Sequence, residues 1–172
     1  MQIIKDKEII EDHWQHIADD PIPQEGCVTV SLNRWKAEKD RLIAREGGEL
    51  GLRLSTEDSL EEIADDLGYF QLIALEFPTF TDGRIFSFAR LLRERYHFQG
   101  ELRAIGDFLP DQVFYLARVG VNAFEFHETT DLNDALSALD TFTVVYQAAA
   151  DAAEPPRYRR VLSEPTESST SM

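Results

Sequence analysis

The chain has 172 residues, 43% of them hydrophobic, and a formal charge of −15. That length suits one domain with a full core rather than two, and the acidity excludes a nucleic-acid or anionic-membrane partner, which would need a basic footprint. A single cysteine, Cys27, excludes an intrachain disulfide, a CxxC redox pair and a cysteine-held iron–sulfur cluster.

Residues 1–26 read as an N-terminal hairpin and connector. Gln2–Ile4 and Glu8–Ile10 flank Lys5-Asp6-Lys7, and Asp19-Asp20-Pro21-Ile22-Pro23 is a stiff polar link. The opening MQIIKDKEIIEDHW lacks the apolar centre of a signal peptide, and no apolar run reaches membrane-spanning length, so a cytoplasmic protein is expected. A single α/β domain is expected over residues 27–147, starting with a strand at Cys27–Leu32. Asn33 would cap the helix that follows, which buries Trp35, Leu42 and Ile43 and stops at Gly47-Gly48.

Leu50–Leu54 is a second strand. Leu60, Ile63, Ala64 and Leu67 keep helical spacing after it. Leu72–Phe77 is nearly unbroken in its apolar character, as a strand covered on both faces would be. Asp82-Gly83 then reads as a helix start rather than a hairpin, because Ile85, Phe88, Ala89, Leu92 and Tyr96 recur with helical period. Glu101–Ile105 is the fourth strand, Pro110 opens a helix through Val113, Leu116 and Ala117, and Val121–Phe126 is the fifth strand. Asp131 caps a last helix through Leu139, Phe142–Tyr146 adds an extended piece, and residues 148–172 read as a disordered tail.

Strands alternating with helices at spacings of roughly 20–30 residues predict a mainly parallel five-stranded sheet with right-handed crossovers. An incomplete (β/α) barrel and a flavodoxin-like open sheet both fit that pattern. Charges inside several strands favour the incomplete barrel.

Those charges are also the candidate chemistry. Arg53, Glu76, Arg103 and Glu125 lie in or at the ends of strands, where burial is costly without partners. They form either an ion-pair lattice that fixes register or, with an arginine left over, an anion site. From Asp82 to Arg118 six arginines face five carboxylates, so this stretch is locally basic in an acidic chain. Asp82, Gly83 and Arg84 at a helix start offer backbone N–H groups and a guanidinium to an anion, and Ser87 continues the polar stripe. Asp107 follows the fourth strand and either caps the next helix or acts as a base beside Glu76. Gln112 sits in that helix's first turn. Asp82, Asp107 and Glu76 are thus the candidate catalytic carboxylates, and Arg84, Ser87, Arg103, Arg53 and Gln112 the candidate ligand-binding residues.

The histidines His13, His16, His97 and His127 show no metal-site spacing, and no GxGxxG, P-loop or GxSxG is present. No metal and no resident cofactor is expected.

At FPTFTDGR, ARLLRER, GELRAIGD and the following Asp111-Gln112, the chain resembles a bacterial family of unknown function. Its members are described as probable oxidoreductases involved in sulfite reduction. The resemblance runs from Val28 to Tyr146. It carries over Phe77, Pro78, Phe80, Asp82, Gly83, Arg84, Ser87, Arg90, Arg93, Glu94, Arg95, Glu101, Arg103, Gly106, Asp107, Asp111 and Gln112 as motif residues. Relatives usually look like Gly-Tyr where this chain has Ile85-Phe86, and often like Cys where it has Val119. The resemblance implies an association with assimilatory sulfite or nitrite reduction. The first expectation built on it is an accessory protein without a redox centre of its own, which uses the Asp82/Arg84/Arg103/Asp107 end of the sheet for a small anion or for the sulfite or nitrite reductase. The residues themselves leave two alternatives open: a half-barrel enzyme doing acid–base work on a small anion, and a scaffold whose charges are structural.

Overall fold

A computed structural model describes residues 1–140. The extended piece expected at Phe142–Tyr146, the tail at 148–172 and the far end of the expected domain lie outside the described residues. Eight strands form one sheet: β1 (Gln2–Lys5), β2 (Glu8–Glu11), β3 (Gln15–His16), β4 (Val28–Ser31), β5 (Leu50–Leu54), β6 (Leu72–Phe77), β7 (Glu101–Gly106) and β8 (Ala123–Phe124). Four helices accompany them: α1 (Leu32–Ile43), α2 (Arg84–Glu94), α3 (Val113–Arg118) and α4 (Leu132–Asp140).

The order across the sheet is β2-β1-β8-β7-β6-β5-β4-β3. From β3 to β8 every neighbour is parallel and follows chain order, while β1 joins β8 antiparallel and carries β2 at the edge. A flavodoxin-like sheet would reverse direction partway across, whereas an unbroken winding keeps the helices on one side. Trp35, Leu42, Ile85, Ala89, Leu92, Val113, Leu116, Ala135 and Leu139 accordingly share one core with Val30, Leu52, Leu54, Ile73, Leu75, Leu102 and Phe124 of the strands.

The curl of the sheet follows from chain length. Laid flat, eight strands about 4.8 Å apart would separate β2 from β3 by roughly 34 Å. Only Asp12, His13 and Trp14 join Glu11 at the end of β2 to Gln15 at the start of β3. That link spans at most about 14 Å. The sheet is therefore bent into a half-barrel, with the helices on its convex side and this short strap across its hollow.

Several local details differ from the sequence expectation. Ser31, not Asn33, caps α1, its hydroxyl accepting from the Arg34 N–H, because the helix begins directly where β4 ends. The segment expected to be a helix around Leu60–Leu67 is two short 3-10 turns, Leu60–Ile63 and Leu67–Tyr69. Its sequence carries Glu61, Glu62, Asp65 and Asp66 and no cation, so a longer helix would end on carboxylates against its own dipole. Asp66 is drawn instead to α1, accepting from the Trp35 indole at 2.8 Å and from Lys39 at 2.6 Å. Gly106 ends β7 with φ +90, and a Cβ there would lie 2.4 Å from the Phe77 carbonyl oxygen. The glycine permits the tight exit from the sheet.

Candidate functional site

The parallel register lines up the concave face in rows. Ser31, Arg53, Ala74, Arg103 and Ala123 form one row across β4 to β8, and Glu76 stands level with Ile105 in the row above. Arg53 and Arg103 therefore face the same side two strands apart, with the small Ala74 between them. The strap fills the gap. Its alternate residues point inward: Asp12 reaches Arg103, Trp14 covers Leu72, Ala74 and Ile105, and His16 meets the Thr29 hydroxyl at 3.2 Å. Trp14 divides the charged face into two clusters with different fates.

Arg103 is saturated. Its Nε donates to Glu101 at 2.8 Å, Nη1 to Asp12 and Glu125 at 2.8 and 3.3 Å, and Nη2 to Asp12 at 2.9 Å. It is 3% exposed, and Lys5 adds a second cation to Glu101 at 2.8 Å. Burial works against the Arg103 charge, but Asp12 and Glu101 outweigh it and its pKa is raised. Two cations face three carboxylates here, so no positive charge is left for a ligand.

Arg84 is spent too, and far from Arg103's buried lattice in character: it is 60% exposed at the start of α2. Its Nε and Nη2 donate to Asp82 and its Nη1 to the Thr56 carbonyl. Asp82 also accepts from the Arg84 N–H, so its carboxylate terminates the helix although Gly83 holds the cap position. The Arg84 guanidinium and N–H hold the Asp82 carboxyl at about 2. A carboxyl so acidic is poorly matched to proton transfer near neutrality. Ser87 is exposed on α2.

Asp107 is exposed and does not cap the next helix. Leu109 takes the cap position, with its N–H bonded to Gln112 Oε1 at 2.9 Å. The loop after Gly106 runs two residues further before turning, which carries Asp107 out of capping range. Gln112 Nε2 donates to the Phe80 carbonyl at 2.9 Å, so this side chain ties two loops together.

Arg53 differs from the other two arginines. Nε and Nη2 hold Glu76 side-on, at 3.1 and 2.9 Å, and Nη1 has no protein partner among the described residues. It borders a hollow of about 430 Å3 at the C-terminal ends of β4, β5 and β6, lined by His16, Ser31, Asn33, Ser55, Asp58 and Glu76 along with Leu32. The first turn of α1, whose N–H groups have no acceptor within the helix, forms one wall. Asp58 is already engaged, accepting from the Ser55 N–H and hydroxyl at 2.7 and 2.9 Å. Burial, then the Arg53 charge, lowers the His16 pKa, so the imidazole is neutral near pH 7. The strand ends thus present a free guanidinium nitrogen, a helix N-terminus and a neutral imidazole to one space.

A larger hollow of about 560 Å3 lies at the other end of the strands beside Arg93. That guanidinium is used up on the carbonyls of Phe98, Gly100 and Gly120 and on Asn122, which pins turns rather than receives ligands. The smaller hollow is the better site. Of the residues singled out in the sequence, Arg53 and Glu76 meet there, Asp82 and Arg84 lie at the start of α2, Gln112 ends the 3-10 turn before α3, and Arg103 lies under the strap. His16, Asp12 and Trp14 were not foreseen. Their signal is the alternation in Asp12-His13-Trp14-Gln15-His16, a period-two pattern too short to stand out.

Among the described residues no three His, Cys, Asp or Glu side chains gather as metal ligands, and no helix is long and apolar enough to cross a membrane. A family model described as bacterial protein of unknown function (DUF934) matches residues 51–157. No curated protein and no solved structure matches the chain.

Proposed function

From the premise that the chain belongs to the bacterial family of unknown function DUF934, we propose that it is an accessory protein of sulfite reduction that binds a small oxyanion or carboxylate at the ends of β4–β6. The observation that carries the binding is the free Nη1 of Arg53. Of Arg53, Arg84 and Arg103, it alone keeps a guanidinium nitrogen without a protein partner among the described residues. Glu76 fixes the fork from one side, and an anion would take the other together with the first turn of α1. The sulfite association is supported by the resemblance of FPTFTDGR, ARLLRER and GELRAIGD to proteins so described.

Thermal shift and calorimetry with sulfite, sulfate, nitrite, phosphate and small carboxylates test the binding. At least one is expected to stabilise the protein, and Arg53→Gln should weaken it by about 1.5–3 kcal/mol, the worth of a charge-assisted bond. Binding should also tighten as pH falls. An anion beside His16 favours the imidazolium, so the bound form has the higher pKa and takes up a proton. The gain accrues as pH drops through the pKa of the bound imidazole towards that of the free one, which lies below the ordinary value of 6.5. Affinity that is flat across this range would remove His16 from the site. Retention of the cell's own sulfite reductase on the immobilised protein at low salt tests the accessory role, and its absence would retire that role.

A second reading rests on one observation: a neutral His16 shares the hollow with Glu76, as an acid–base pair would. Proton exchange at the α-carbon of small carboxylic acids, followed by NMR, would reveal it, and exchange unaffected by His16→Gln would end it.

A further inference from the structure

The hollow is not the only feature at this end of the half-barrel. Two large apolar side chains stand in solvent on the adjacent loops: Phe80, between β6 and α2, is 47% exposed, and Leu109, between β7 and α3, is 43% exposed. Pro78 is exposed beside Phe80. The two loops are not independent. One carboxamide, that of Gln112, accepts from the Leu109 N–H and donates to the Phe80 carbonyl, both at 2.9 Å, so the loop backbones are held one side chain apart. A fixed apolar pair in water has a different meaning from scattered exposed residues, since the cost of ordering it is already met before anything binds.

Charge decides what fits. Asp107 and Asp111 stand two residues either side of Leu109, both exposed, and neither carboxylate has a hydrogen-bond or ion-pair partner among the described residues. Arg84, the cation at the start of the neighbouring α2, is already paired with Asp82, so it does not neutralise them. We propose that Phe80 and Leu109 form a docking face for another protein, one that offers an apolar pocket bordered by lysine or arginine. A second copy of this chain does not fit. An isologous pairing would set Asp107 and Asp111 against their own equivalents in a protein of charge −15. Nucleic acid and anionic lipid are repelled by the same carboxylates. The face rests on the accessory reading only in needing a partner protein; it works whether or not the hollow binds an anion.

Full-length protein carrying p-benzoylphenylalanine in place of Phe80, irradiated in its host cell, tests this. The expected result is one dominant adduct to another protein, with the cross-linked residue flanked by lysine or arginine. The same partner, purified, should bind the unlabelled protein. Binding should fall at least about tenfold in 1 M NaCl, where the screening length is near 3 Å, and comparably in Asp107→Asn/Asp111→Asn. Leu109→Ser should abolish it with the melting temperature unchanged, because the side chain is exposed. Arg53→Gln should leave it intact, which separates this face from the hollow. No adduct, an adduct between two copies, or binding indifferent to salt and to the two aspartates would each overturn the proposal.

Discussion

At the scale of single residues, three arginines of the same type have three different chemistries because of what their neighbours claim. The sequence marks Arg53, Glu76, Arg103 and Glu125 as charges that need partners, and each has one, but in two separate clusters rather than one lattice. It does not say who pairs with whom. Arg103's main partner is Asp12, 91 positions away in the chain, and no local pattern announces a contact that depends on the sheet closing. The buried pair predicts its own fragility. Arg103→Met would leave Asp12 and Glu101 under the strap short of a cation, with only Lys5 remaining at Glu101. Removing one member of such a buried network costs about 3–5 kcal/mol. Urea unfolding should show that loss. Changing Asp12 and Arg103 together to Asn and Met should cost less than the two single losses added, since each single change strands the other partner. Strict additivity would mean that the contact carries no coupling energy.

The element scale shows why some segments are legible and others are not. β5 and β6 fall at Leu50–Leu54 and Leu72–Phe77, as their apolar runs indicate. α2 likewise follows its helical period, since Ile85, Ala89 and Leu92 all reach the core. β3 is two polar residues, Gln15–His16, and carries no apolar signal. It exists because the strap delivers it to the edge of β4. Trp14 is what the strap contributes in packing: its ring covers the concave patch of Leu72, Ala74 and Ile105, an apolar island on an otherwise polar face. Trp14→Ala should cost about 2 kcal/mol, less than the ~3–5 of a fully buried tryptophan because this one is only partly covered. The same change should weaken anion binding, because Asp12 and His16 are positioned by the same five residues. Loss of stability with ligand affinity intact would show that His16 is held by Thr29 alone.

For the whole molecule the open question in the sequence was whether the sheet lies open or curls, and periodicity is silent on it because strand order is set by where connections cross. The structure answers through a length: three residues between opposite edges allow only a bent sheet. That closed, acidic body has a consequence for solution behaviour. The charge of −15 is a self-repulsion acting over the whole surface, while the pairs that oppose it divide into two kinds. Exposed pairs such as Arg90–Glu94 and Lys7–Asp140 are worth little and are screened by salt. The Arg103 cluster under the strap is shielded from ions in solution. Raising NaCl from about 0.01 to 0.5 M shortens the screening length from roughly 30 Å to a few Å. It should therefore relieve more repulsion than it removes attraction. The urea midpoint is expected to rise with salt at constant m, as befits a change in stability and not in the size of the unfolding transition. In Arg103→Met the rise should be larger, because the lost cation adds to the net negative charge. A midpoint that falls with salt would mean that the exposed pairs, not the strapped core, hold the half-barrel closed.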